Sequence, residues 1–447
     1  MTDSTAYWCE LAWLGGEAAE PGVLVEVGGD RIGAVTANLP EPPAGAERLA
    51  GLTLPGLANA HSHAFQRALR GRTQAGAGSF WTWREQMYAL AETLDPDRYR
   101  ALARATFGEM ALAGVTTVGE FHYLHHGPGG VPYADPNEMG RALIAAAEEA
   151  GIRLTLIDTC YLEGGIGTPP EGVQRRFCDG DAEAWAARVE ALSDSTSLRI
   201  AAAIHSIRAV PPPAAKVVAG WTAGRACPLH AHVSEQPAEN EACLAAYNAT
   251  PTQLLADAGA VSSQFTAVHA THLVEADFAR LGEGRAFCCL CPTTERDLAD
   301  GIAPARRLRK AGARLSLGTD SNAFIDLFEE ARAVELDERL VTNQRGGHDP
   351  VDLLRAATAE GAECLGWPSG GRIETGALAD LVVVSLESAR LAGTGAAEAL
   401  AAVVFSGSAS DVRHVLAAGR WIVRDGVHAS LDVGRELAGA LAALTPA

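Results

Sequence analysis

His61-Ser62-His63 sets two imidazoles two residues apart, and on a β-strand such a pair points to one face. Further metal-competent groups follow: His205, the pair His230-Ala231-His232, His269 and Thr319-Asp320, each in or at the end of an apolar run. Neutral imidazole and carboxylate suit zinc, with one position left open for water. Iron and other divalent ions accept the same donors. One H-x-H alone says little. Its recurrence with other ligand types at successive strand ends points to a shared site. His230 and His232 have the same parity, so spacing alone leaves open which of them ligates. His125, His126, His272, His348, His414 and His428 lack such a setting and read as structural or surface residues.

Positioning these groups requires strands that end together. Eight short β-like runs lie near 52–60, 115–121, 153–159, 198–205, 229–233, 265–269, 286–291 and 314–319. Alanine-rich stretches with helical periodicity, such as 136–150 and 182–192, fill most gaps. This alternation predicts an α/β fold, a (β/α)8 TIM-like barrel with its chemistry at the C-terminal mouth of the strands. A doubly wound open sheet would want a Gly-rich phosphate loop after an early strand, and the chain has none. Apolar runs at 23–27 and 32–35 precede a Pro-rich connector at 39–46; beyond the barrel, 350–365 reads as a helix and 381–384 and 413–424 as β-like pieces. The expected division is a small β-sandwich domain from 1–52 and 370–447 around a catalytic barrel at 53–369.

Composition narrows the partners. The chain has 447 residues, 48% of them hydrophobic, and a formal charge of -19 from 55 acidic and 36 basic residues. So acidic a surface argues against nucleic acid or an anionic membrane as partner. A small anionic substrate would need local arginines. The N-terminus shows neither a basic region nor a long apolar one, and no apolar run reaches membrane length, so the expected location is cytoplasmic. Nine cysteines, with a single C-x-x-C at 288–291, read as buried thiols in a reducing compartment.

The segment Pro55-Gly56-Leu57-Ala58-Asn59-Ala60-His61-Ser62-His63, with His230-x-His232-x-x-Glu235, His269 and Gly318-Thr319-Asp320-Ser321, resembles the amidohydrolase superfamily in its deaminase branch. The resemblance implies metal ligation by His61, His63, His232 and Asp320. Binuclear members use a carboxylated barrel lysine; Lys216 and Lys310, the two lysines here, do not lie at a barrel strand end, so one divalent ion is expected, with zinc preferred. A narrower likeness rests on Ala64-Phe65-Gln66-Arg67, Phe80-Trp81-Thr82-Trp83-Arg84, Glu120-Phe121-His122-Tyr123, His205-Ser206-Ile207-Arg208-Ala209-Val210 and Cys291-Pro292-Thr293-Thr294-Glu295. These segments are similar to the formimidoylglutamate deiminase family, which hydrolyses N-formimino-L-glutamate to N-formyl-L-glutamate and ammonia in histidine degradation. That likeness implies substrate contacts from Gln66, Arg84, Tyr123, His205 and Arg208, and by analogy a homodimer.

In such a reaction Asp320 takes a proton from the attacking water, His269 bonds the nucleophile, and Glu235 delivers a proton to the departing nitrogen. Arg208 and Arg84 match the two carboxylates of the glutamate part, because guanidinium pairs with carboxylate in a two-pronged way. Arg84 is expected on a loop able to close over the site. Two other readings stand beside this one: a deaminase of a purine, pterin or S-adenosylhomocysteine-like ring, against which the two arginines argue, and a non-enzymatic scaffold, which would show broken ligands.

Overall fold

The computed structural model describes residues 4–75 and 77–444, which build two sheets of eight strands each. The barrel sheet runs in chain order through Leu57–Ser62, Val115–His122, Arg153–Cys160, Leu198–Ile204, Leu229–Val233, Phe265–His269, Phe287–Leu290 and Arg314–Leu317, all parallel. Nearly every residue of these strands is buried, as expected where helices cover one face and the barrel interior fills the other. The ring is closed by a parallel bridge between Ser62 and Asp320. There the His63 N–H donates to the Asp320 carbonyl at 2.9 Å and the Asp320 N–H to the His61 carbonyl at 3.0 Å. The closing seam therefore carries three of the residues that the sequence singles out for an ion.

The apolar run at 52–60 is two strands, not one. Glu47–Pro55 belongs to the terminal sheet and Leu57–Ser62 opens the barrel, with Gly56 between them. A Cβ at Gly56 would lie 2.2 Å from Thr116 Oγ1 and 2.7 Å from Asp380 Cβ, so only glycine lets the chain pass between the sheets. Both halves are buried, which is why hydropathy shows no break. The helix expected over 350–365 is likewise divided into Pro350–Ala357 and Ala359–Cys364, because Thr358 leaves helical geometry at φ -129°, ψ -95°.

The second sheet takes strands from both ends of the chain: Ser4–Ala12, Glu20–Gly28, Arg31–Thr36 and Glu47–Pro55 join Leu381–Val384, Val412–Ala417, Arg420–Arg424 and Val427–His428. Side chains from both halves, among them Val23, Val25, Leu381, Val383 and Leu416, share one small core. Arg153, on the third barrel strand, forms a buried ion pair with Asp380, which also accepts from the Ala418 N–H at 2.8 Å. Removing one partner of such a pair costs about 3–5 kcal/mol, so this contact clamps the two sheets together. Within 370–447, helices Ala399–Ser406 and Val433–Ala443 pack on the barrel's outer helices Leu327–Thr342 and Pro96–Leu112. No helix of the described residues is long and apolar enough to cross a membrane.

Candidate active site

His61 and His63 leave the first barrel strand, His232 the fifth, and Asp320 follows the eighth, and their side chains converge at the mouth. Asp320 Oδ1 lies 3.3 Å from His61 Nε2 and 3.4 Å from His63 Nε2, and His232 Nε2 lies 3.2 Å from His61 Nε2. All four ligand atoms fall within 4.8 Å of one another. His230 stays apart: its Nε2 donates to the Cys364 carbonyl at 3.2 Å, deeper in the barrel. Of the two histidines of equal parity, His232 is the one whose side chain joins the cluster. Lys216 and Lys310 sit on outer helices, Pro212–Arg225 and Ala305–Ala311.

The hydrogen bonds behind the cluster decide what it fits. His63 Nδ1 lies 3.0 Å from the Phe121 carbonyl and His232 Nδ1 3.0 Å from the His205 carbonyl. A carbonyl only accepts, so each Nδ1 carries the ring proton and each Nε2 turns a lone pair to the centre. Burial, then the neighbouring His61, pushes the His63 imidazole down to about 3, and burial drives His232 well below the usual range, so both rings stay neutral. The His63 and His232 lone pairs and the Asp320 carboxylate converge with His61 Nε2 on one point. A divalent cation fits that donor set.

A proton-handling group adjoins the cluster. Burial alone would lower the His269 imidazole, but the Glu235, Glu295 and Asp320 carboxylates raise it well above its ordinary value. Its Nδ1 lies 3.3 Å from Glu295 Oε1, while its buried Nε2 has no hydrogen-bond partner and lies 3.7 Å from Glu235 Oε1 and 3.9 Å from Asp320 Oδ2. His269, Asp320 and Ser234, just before Glu235, all adopt positive φ, a costly conformation for non-glycine residues that concentrates at functional sites. Glu235 Oε2 accepts from Arg208 Nη2 at 3.1 Å.

A narrow cavity of about 70 Å³ opens on this group. Gln66, Arg84, Tyr123, His205 and Arg208 all line it, together with His63, His232, Glu235, His269 and Asp320. Gln66 donates to the Tyr123 hydroxyl at 3.2 Å, which leaves its buried Oε1 an unpartnered acceptor. Burial, then the nearby Arg208, keeps the His205 ring well below its usual pKa. Arg84 is not on a loop. It lies on helix Phe80–Glu92, which a capping box at Ser79 and Thr82 starts; Phe80, Arg84, Met87 and Tyr88 share the helix face turned to the cavity. Its guanidinium lies 4.5 Å from the Trp81 ring centroid and meets no carboxylate among the described residues.

Sequence reasoning missed several supporting groups. Glu120, buried and pushed up to about 8 by desolvation, accepts from Ser62 Oγ at 2.8 Å and the Ala64 N–H at 2.7 Å, holding both flanks of His63. Asn322 donates to Ser62 Oγ at 3.1 Å and the His63 carbonyl at 3.0 Å. Glu239 is wholly buried beside Arg208 and accepts from the Glu235 N–H at 3.2 Å. Its place four residues after Glu235, early in helix Pro237–Tyr247, was the one available signal. His125 and His126, read as structural or surface residues, are structural: both are buried, with ring nitrogens on the Thr159 carbonyl and Asp179.

Residues 52–422 match the model of the Amidohydrolase family. The chain is 39% identical over 401 residues to the formimidoylglutamate deiminase of Pseudomonas aeruginosa, covering 86% of this chain and 87% of that one. It is 29% identical to the 8-oxoguanine deaminase of the same organism, covering 87% of this chain and 85% of that one. Among solved structures, an amidohydrolase from Brucella melitensis superposes with a TM-score of 0.91 at 32% identity, over 98% of this chain and 99% of that one.

Proposed function

The chain belongs to the amidohydrolase family, as a hydrolase acting on C–N bonds, and from that premise we propose that its substrate is N-formimino-L-glutamate, hydrolysed to N-formyl-L-glutamate and ammonia. The observation that carries this reading is the pair of guanidinium groups, Arg84 and Arg208, in one cavity with the His/Asp cluster. Two cations at separate points match a substrate with two carboxylates better than a neutral ring.

In this reading His61, His63, His232 and Asp320 hold one divalent ion, zinc by donor type. Bound there, the ion supplies the Lewis acidity that makes water a usable nucleophile near neutral pH. Every other step belongs to the chain. Asp320 presents Oδ1 to the histidines and keeps Oδ2 for a proton of the attacking water. The unpartnered His269 Nε2 bonds the developing tetrahedral carbon's oxygen, steadied from behind by Glu295. Gln66 Oε1 accepts from the formimino N–H. Glu235, between His269 and Arg208, passes a proton to the leaving nitrogen, so that the C–N bond breaks and ammonia departs. Arg208, beside Glu235, takes the α-carboxylate, which lies nearest the reacting carbon.

The test is ammonia release by metal-loaded protein, comparing N-formimino-L-glutamate with a panel of cyclic amidines such as adenosine and 8-oxoguanine. Turnover of the linear substrate at higher kcat/KM is expected. A preference for the rings overturns the assignment.

A further inference from the structure

Two residues of the cavity lining, Tyr88 and Tyr161, have no role in the reading above, nor does Gln174, which bonds them. Tyr161 and Gln174 are buried, and Tyr88 is half-buried. Gln174 Nε2 lies 3.1 Å from the Tyr88 hydroxyl, 3.1 Å from the Tyr161 hydroxyl and 3.3 Å from the Gly164 carbonyl. Its Oε1 accepts from the Glu171 N–H at 3.0 Å. The backbone thus fixes which way the amide points: a carbonyl demands the NH2 end and an N–H demands the oxygen.

That orientation leaves a surplus of hydrogens. The amide offers two and each phenol one, against three acceptor oxygens, those of Gly164, Tyr88 and Tyr161. Neither hydroxyl reaches a carboxylate or another carbonyl among the described residues. The two phenols bond each other, and in such a pair only one hydroxyl donates, so the other's hydrogen meets no acceptor among the described residues and can serve the cavity. Burial pushes the Tyr161 phenol far up, so it remains a donor, and the charges of Arg84 and Arg208 both bear on it. The Arg84 guanidinium lies 5.5 Å from the Tyr88 ring centroid, one turn away on the same helix. A phenolic donor beside a cation with no carboxylate partner among the described residues makes an anion site in the cavity wall.

We propose that Tyr88 and Tyr161, oriented by Gln174, bind the γ-carboxylate of the substrate beside Arg84 and thereby select dianionic over monoanionic linear amidines. The assignment rests on the reading of the site as a formiminoglutamate hydrolase. It makes the two tyrosines specificity-determining residues and Gln174 a positioning residue.

The experiment measures kcat and KM of wild type, Tyr161→Phe and Tyr88→Phe with N-formimino-L-glutamate and with its γ-amide, N-formimino-L-glutamine. A lost hydrogen bond to a charged group should raise KM for the dianion about ten-fold, with kcat held within about two-fold. KM for the γ-amide should move by less than about two-fold, so selectivity for the dianion collapses. Thermal melting checks that each variant folds; should Tyr161→Phe fail, the half-buried Tyr88→Phe carries the test alone. An unchanged KM for the dianion, or an equal rise for both substrates, overturns the tyrosine assignment and leaves the wild-type reaction standing. A wild type that hydrolyses neither compound overturns the underlying reading and this assignment with it.

Discussion

Two buried His/Asp clusters sit at the C-terminal ends of barrel strands, His61-His63-His232-Asp320 inside the mouth and His122-His125-Asp158 behind the wall, and they differ in how charge and hydrogens are arranged. In the second, the Asp158 carboxylate accepts from Arg188 at 2.8 and 2.9 Å and from Trp185 Nε1 at 3.0 Å. Arg188 also bonds both Asp179 oxygens at 2.8 Å. His125 Nε2 donates to the Thr159 carbonyl at 2.9 Å, and its Nδ1 meets His122 Nε2 at 3.3 Å. The positive charge is already there, as a guanidinium, and of the His122 and His125 ring nitrogens only His122 Nδ1 is left without a partner. In the first cluster no arginine among the described residues touches Asp320, and the carbonyls behind His63 and His232 turn the lone pairs of those two rings inward. Residue type and burial are the same; the difference is where the hydrogens go.

The contrast can be broken from either side. Asp320→Asn should lower kcat roughly 10²–10⁴-fold, as expected for loss of a proton acceptor, while the melting temperature stays near wild type; steady-state kinetics and calorimetry read both. Arg188→Leu should do the reverse. It leaves buried Asp158 and Asp179 without their guanidinium, with only Trp185 and His126 as side-chain partners, and should cost about 3–5 kcal/mol in urea unfolding, with turnover per folded molecule largely kept.

Acid sharpens the same comparison. Burial, then the Arg188 charge, holds the His125 imidazole down at about 4, against about 6.5 in an unfolded chain. The folded pKa is depressed, so the unfolded state binds the extra proton between these values. Stability is therefore intact above about pH 6.5 and declines as pH falls toward 4. In His125→Gln the decline across that window should lose about one proton's worth of slope, measured by denaturation at several pH values. The smallest effect concerns the arginines. Arg188 is saturated, whereas Arg84 leans only on aromatic rings. Trp81→Ala should raise KM a few-fold with little change in kcat, in keeping with a cation–π contact of about 0.5–1 kcal/mol.

Much of this was legible beforehand because strand ends leave a pattern. Parallel barrel strands are continuous apolar runs, and a polar group at the end of each is conspicuous, so His61, His63, His232, His269 and Asp320 stood out. The same hydropathy hid the break at Gly56, where two buried strands meet across one residue. Arg84 was misplaced onto a loop because four aromatic or polar residues mask a helix whose start depends on the Ser79–Thr82 cap. Glu239 and Gln174 gave little sign of themselves, and Glu120 stood in a motif of the family likeness without a role of its own. A carboxylate or amide in a sequence looks solvated, and its partners lie on other elements: Ser62 for Glu120, Arg208 for Glu239, the two tyrosines for Gln174.

The claim that one cluster holds an ion and the other does not is tested most directly by counting metal per folded chain, through elemental analysis of wild type, His63→Ala and His125→Ala. The prediction is one divalent ion in wild type and in His125→Ala, and none in His63→Ala. An ion retained in His63→Ala, or lost in His125→Ala while the chain stays folded, would contradict it.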